Sequence, residues 1–157
     1  PRLTARDVVR TRPLTRVVFD RALETAPQAR VYASAGDEPV IMVASPQALA
    51  ASSDRAAGLA SRGVEIVPAA SLGEAMPALL GRGIHTLLVE GGAALHRSFW
   101  EAGLVDRLHL IVAPGRLGAT GVALFDGLAV PWSRLSRVTN VPCGADIWVE
   151  ADVHWDR

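Results

Sequence analysis

The chain has 157 residues, sixteen acidic and sixteen basic side chains, and a formal net charge of zero. Balanced charge without a concentrated basic patch argues against a nucleic-acid surface, and no apolar run approaches the roughly 18 residues a membrane span requires. A basic n-region followed by an apolar stretch is not seen, and a single cysteine, Cys143, forms no internal disulfide, so a cytoplasmic setting is expected.

Taken in order, Pro1 to Leu14 is polar and irregular and reads as a surface lead-in. Arg16 to Asp20 follows as a buried strand, with Val17, Val18 and Phe19 as its apolar face. Ala22 to Pro39 carries turn formers, and Val40 to Ala44 is a second strand. Ser45-Pro46 opens a helix with proline just inside it, expected to run through alanine-rich sequence to about Arg62. Gly63 ends that helix, and Val64 to Val67 forms the next strand. Ser71 and Glu74 make a capping box for a helix reaching Leu80, with Pro77 awkwardly in its interior.

Ile84 to Val89 is a short apolar run ending in Glu90-Gly91-Gly92, and it reads as a buried parallel strand. From Ala93 to Ala102 the apolar spacing becomes helical, with Leu95, Phe99 and Trp100 on one side. Gly103 closes the helix, and Leu108 to Ala113 starts another strand. Beyond Gly118 comes a glycine-bearing loop in which Leu124-Phe125 is expected to pack inwards. Leu135 to Val141 and Ile147 to Val153 then read as two antiparallel strands. Alternating strands and helices from Arg16 to Ala113 predict a largely parallel sheet with helices on both faces and an antiparallel C-terminal edge.

The Gly91-Gly92 turn has two readings. A helix starting straight after two glycines leaves its first N–H groups free, and glycine lets a phosphate approach the backbone closely. The same pair also serves as a plain tight turn, and the Gly-x-Gly-x-x-Gly fingerprint is absent. Other candidates carry less. His85, His96, His109 and His154 lack ligand spacing, so no metal site is expected. The four tryptophans are too dispersed for a stacking platform, and Ser45, Ser71 and Ser98 lack a nucleophile-elbow context. Cys143 is expected to be a small buried hydrophobe.

The stretch LLVEGGAALHRSFWEAGLVDRLHLIVAPGRLG resembles the signature of the reductase domain of bifunctional riboflavin-biosynthesis deaminase–reductases. It is carried by Val89-Glu90-Gly91-Gly92, Leu95, Phe99, Gly103-Leu104-Val105-Asp106, Ala113-Pro114 and Leu117-Gly118. Pro1-Arg2-Leu3-Thr4-Ala5-Arg6 is similar to the end of the family's Asp-Asp-Pro-x-Leu-Thr-x-Arg segment, and Arg16 to Asp20 continues the match. What the resemblance implies is a dihydrofolate reductase-like α/β fold in a single reductase domain spanning 1–157. It further implies NADPH as cofactor and a ribosyl-to-ribityl reduction of 5-amino-6-(5-phosphoribosylamino)uracil by a homodimer.

By the same resemblance Leu3, Arg6 and Glu90 contact substrate, with Arg6 at the phosphate, where a planar guanidinium suits the task. Gly91, Gly92, Ala93, Ala94, Leu95, His96, Arg97 and Ser98 match the cofactor-binding turn and helix start. Arg21 stands where the family has a small polar residue and is expected in solvent. The family's lysine, threonine and aspartate near the reacting groups would precede Pro1, so the catalytic proton donor is unknown. Upstream sequence carrying a first strand and helix is therefore expected to belong to a longer polypeptide. Three alternatives remain open: reduction of the 2,5-diaminopyrimidinone ribosyl phosphate, a related NADPH reductase with another pterin- or pyrimidine-like substrate, and a ligand-binding domain without catalysis.

Overall fold

A computed structural model describes residues 14–33, 35, 38–129 and 132–155. Two units divide the chain, Pro1–Thr86 and Leu87–Arg157.

The first unit is built on three parallel strands, β1 (Arg16–Phe19), β2 (Val40–Ala44) and β3 (Val64–Pro68), in the order β1-β2-β3. The central β2 has the sequence VIMVA and is buried at every residue. A strand covered on both faces needs such an unbroken apolar run, because alternate side chains enter opposite cores. Val40, Met42 and Ala44 join Leu23, Val31, Tyr32, Leu59 and Val64 in one cluster. Ile41 and Val43 join Val67, Ala69, Ala75 and Leu79 in the other. Helices α1 (Pro46–Ala51) and α2 (Ser53–Ala60) serve the first cluster, and α3 (Leu72–Leu80) serves the second.

Local chemistry sets the boundaries. Ser45 caps α1 by accepting the Ala48 N–H at 3.1 Å, with Pro46 directly inside. The expected single helix to Arg62 is instead two. Ser52 leaves helical geometry at φ −130° and ψ 47°, ending α1 and standing before α2. Serine competes for backbone hydrogen bonds and favours such junctions over helix interiors. Gly63 turns into β3 with φ +83°, where a side chain would be strained. Ser71 caps α3 through the Glu74 N–H at 3.2 Å, while the Glu74 carboxylate accepts from Ala70 at 2.8 Å. Pro77 stays inside α3 without ending it, at the cost of one backbone hydrogen bond.

Arg16 starts β1 and is only 2% exposed. Its guanidinium donates to the carbonyls of Val31 at 2.9 Å and Glu38 at 3.3 Å and lies 3.4 Å from the Glu38 carboxylate. A buried cation without such partners would be very costly, so Arg16 ties the loop before β2 to the strand.

The second unit holds α4 (Ala93–Glu101) and an antiparallel sheet of β4 (Arg107–Val112), β5 (Leu135–Cys143) and β6 (Asp146–Val153), ordered β4-β6-β5. The hairpin between β5 and β6 has Gly144 at φ +65° in a two-residue loop. Trp100, Phe125 and Val153 form the buried centre, with Val105, Leu108, Leu128, Leu135 and Trp155 around them. Trp100 meets Phe125 at 5.4 Å and Trp155 at 5.1 Å between ring centroids. The Trp155 indole donates to the Val105 carbonyl at 2.7 Å.

Four expectations are corrected. The strand anticipated at Ile84 to Val89 is absent, and Leu88 is 71% exposed. Neither sheet pairs with that segment, and a strand without a ladder partner is only an extended run of chain. Correspondingly, the described residues form two three-stranded sheets rather than one mixed sheet. Phe125 does pack inwards but Leu124 does not, being 47% exposed. Cys143 is exposed, since the last residue of β5 lies at the hairpin tip, away from the core.

Candidate functional site

The site expected from the sequence centres on the turn into α4. Gly92 is the N-cap of that helix, in extended conformation at φ −71°, and no side chain caps it. Its carbonyl accepts from Leu95 at 3.0 Å and His96 at 3.1 Å, so the helix winds directly from the glycine. The N–H groups of Ala93 and Ala94 precede the first intrahelical bond and stand at the positive end of the helix dipole.

The two glycines do different jobs. A Cβ on Gly91 would lie 2.4 Å from Leu95 Cδ2 and 2.9 Å from Leu95 Cβ, so Gly91 makes room for the first turn of α4. A Cβ on Gly92 would meet nothing within 4 Å. Gly92 therefore faces open space, leaving the backbone approachable by an anion. These residues suit a dinucleotide's phosphates: an uncapped helix start, an open glycine, and no acidic side chain in the first turn.

Side chains on the same helix are largely engaged locally. His96 Nε2 lies 3.3 Å from the Val89 carbonyl, and its ring meets Phe125 edge-on at 6.2 Å. His96 thus ties the segment before the turn to the helix after it. Arg97 donates to Glu101 at 2.8 Å and to the Asp126 carbonyl at 3.4 Å. Hydrogen bonding to Glu101 and its charge raise the guanidinium pKa further, so Arg97 stays cationic. Ser98 is exposed and its hydroxyl bonds back to the Ala94 carbonyl at 2.9 Å. Leu95 is half-buried against Gly91, a packing role.

Glu90 is exposed, on a segment without regular secondary structure rather than at the end of a strand. Leu3 and Arg6 lie outside the described residues. Arg21 is exposed, as anticipated. Among the described residues no group of three or more His, Cys, Asp or Glu side chains could hold a metal ion.

Sequence reasoning missed the loop after β1. The Asp20 carboxylate accepts from Glu24 N–H at 3.0 Å and Thr25 N–H at 2.6 Å. Burial opposes its charge, but hydrogen bonds from Thr25 and Glu24 outweigh that and hold its pKa below the ordinary aspartate value. Arg55 donates to the Leu23 carbonyl at 2.7 Å, and the Ser45 N–H donates to the Arg21 carbonyl at 3.1 Å. Leu23, fully buried with φ +56°, is held in a strained conformation by these ties. No local pattern flags it, because the Asp20 bonds reach four and five residues on, beyond the two-residue reach of an ordinary Asx turn.

Comparisons with known proteins agree with this layout. The RibD C-terminal domain family model matches residues 1–148. A riboflavin biosynthesis protein RibD from Bacillus amyloliquefaciens is 35% identical over 85 residues, covering 50% of this chain and 22% of the relative. A Thermotoga maritima diaminohydroxyphosphoribosylaminopyrimidine deaminase/5-amino-6-(5-phosphoribosylamino)uracil reductase structure matches with a TM-score of 0.70 and 21% identity, covering 98% of this chain and 41% of that one. Acinetobacter baumannii RibD gives 0.67 and 22% identity, covering 88% and 37%. A pyrimidine reductase-like protein from Corynebacterium diphtheriae gives 0.63 and 24%, covering 89% and 61%. The chain thus spans about a fifth of the curated relative and between 37% and 61% of these solved structures. The shared fold is the dihydrofolate reductase-like α/β arrangement. By the family model, which covers nearly its whole length, the chain belongs to the RibD C-terminal domain family.

Proposed function

We propose that this chain is the reductase part of a riboflavin-pathway enzyme, reducing the ribosyl group of 5-amino-6-(5-phosphoribosylamino)uracil to a ribityl group with NADPH. The observation that supports it most is the open, uncapped Gly92 turn at the start of α4, in a chain of the RibD C-terminal family. NADPH, when bound, supplies the hydride. The chain's own residues bind and orient: the N–H groups of Ala93 and Ala94 hold a phosphate, and Gly92 admits it. Gly91 and Leu95 keep the first turn of the helix in place, and His96 fixes the segment leading into it. Arg97 and Ser98 contact the cofactor, Ser98 by turning its hydroxyl away from the Ala94 carbonyl. Glu90 accepts hydrogen bonds from the substrate, and Leu3 and Arg6 contact it, Arg6 at the phosphate.

Residues 1–157 act as one reductase domain in this reading, and the working form is a cytoplasmic homodimer. No helix among the described residues is long and apolar enough to cross a membrane.

NADPH oxidation assayed with the uracil and with the 2,5-diaminopyrimidinone ribosyl phosphate tests the proposal. Turnover of the uracil alone is expected. Turnover of the diaminopyrimidinone alone would reassign the substrate, and turnover of neither by a protein that binds NADPH would remove catalysis.

A further inference from the structure

On the outer face of the second unit's sheet, one imidazole nitrogen has two neighbours that want opposite things from it. His109 on β4 stands opposite Glu150 on β6, and Trp148 stands opposite Ile111 one rung further. The Trp148 indole Nε1–H donates to His109 Nδ1 at 3.3 Å, with the two rings 5.9 Å apart. Glu150 Oε2 lies 3.7 Å from the same Nδ1. Trp148 is a donor only, so it needs Nδ1 bare; Glu150 is an acceptor, so it needs Nδ1 to carry a proton. Both cannot be satisfied at once.

We propose that His109 is a proton-controlled latch on Trp148, holding the indole when neutral and turning to Glu150 when protonated. In the neutral state the ring keeps its proton on Nε2, and Nδ1 accepts from Trp148. A proton arriving from solvent at Nδ1 leaves two N–H groups facing each other, so the indole bond breaks and Nδ1–H donates to Glu150. The other charges beside it are held in ion pairs. Arg107 on β4 pairs with Glu150 at 2.9 Å and with Asp152 at 3.0 Å, and Arg137 on β5 pairs with Asp152. Thr139 on β5, opposite Glu150, brings no charge. Glu150 is thus the partner that decides the exchange. Trp148 sits in the middle of the exposed row formed with Ile111 and Val141, so its release changes the apolar surface presented there.

The test is the Trp148 indole N–H resonance followed by NMR from about pH 8 to pH 5, the range in which imidazoles take up a proton. Trp148→Phe identifies the resonance. The latch predicts a hydrogen-bonded, slowly exchanging indole at high pH that shifts and exchanges faster with solvent as pH falls. His109→Gln should abolish the step. In the unmutated protein the His109 ring nitrogens give a second readout, with Nδ1 unprotonated above the step. An indole signal independent of pH, a step that survives His109→Gln, or an Nδ1 already protonated at pH 8 would each overturn the latch.

Discussion

At the scale of single residues, the two glycines before α4 separate structure from binding. Gly92→Val places its side chain in open space, so the protein should stay folded while NADPH affinity is lost. Titration of NADPH against the folded variant checks this, and unchanged affinity would remove the turn from the site. Gly91→Ala should behave differently, because its Cβ would collide with Leu95. Overpacking of that kind costs about 1–3 kcal/mol, so the melting temperature should fall along with NADPH binding. Glu90→Gln keeps the shape but turns one acceptor into a donor, and KM for the pyrimidine should rise with NADPH binding unaffected. Arg6→Ala should raise KM for the phosphorylated substrate about thirtyfold, the loss of a charge-assisted contact of about 2 kcal/mol. A dephosphorylated substrate that suffers equally would show that Arg6 does not read the phosphate.

At the scale of elements, the strands and helix caps of the first unit were legible because each has a local cause. VIMVA is apolar at every position, and Ser45-Pro46 and Ser71 with Glu74 carry their capping chemistry within four residues. Ser71→Ala should therefore cost about 1 kcal/mol of stability, and Leu79→Ala in the α3 core about 2–5 kcal/mol, both readable by denaturant melts. The segment Ile84 to Val89 shows where local reading stops. Its apolar run is that of a strand, yet whether it enters a sheet depends on a neighbour from elsewhere in the chain, which periodicity does not contain. Ser52 marks the opposite failure, a helix break that alanine-rich flanks concealed. At the site, the glycine turn was readable from sequence. The engagement of His96 with Val89, Arg97 with Asp126 and Asp20 with Thr25 was not, since each depends on how a loop returns.

At the scale of the whole molecule, stability should respond to acid through the aspartates. Burial opposes the charge on Asp20 and Asp152, but Thr25 and Glu24 at the first, and Arg137 and Arg107 at the second, hold both pKa values below the ordinary 3.8. The unfolded chain then binds protons at these sites before the folded one does. Their contribution is full above the ordinary aspartate value and is lost as pH falls through the folded values. Melting followed from pH 6 downward should show stability from these groups holding until about pH 4 and declining below it. Asp20→Asn should flatten part of that decline.

The central claim, that this chain passes a hydride from NADPH to a phosphoribosylaminopyrimidine, is tested most directly by isotope transfer. The protein is supplied with NADPH deuterated at the nicotinamide C4 on each face in turn, together with the uracil substrate. The account predicts one ribityl product per NADPH consumed, with deuterium on the former sugar carbonyl carbon for one of the two labelled faces. Product without label from either face, or NADPH bound but never oxidised in the presence of either pyrimidine, would contradict it.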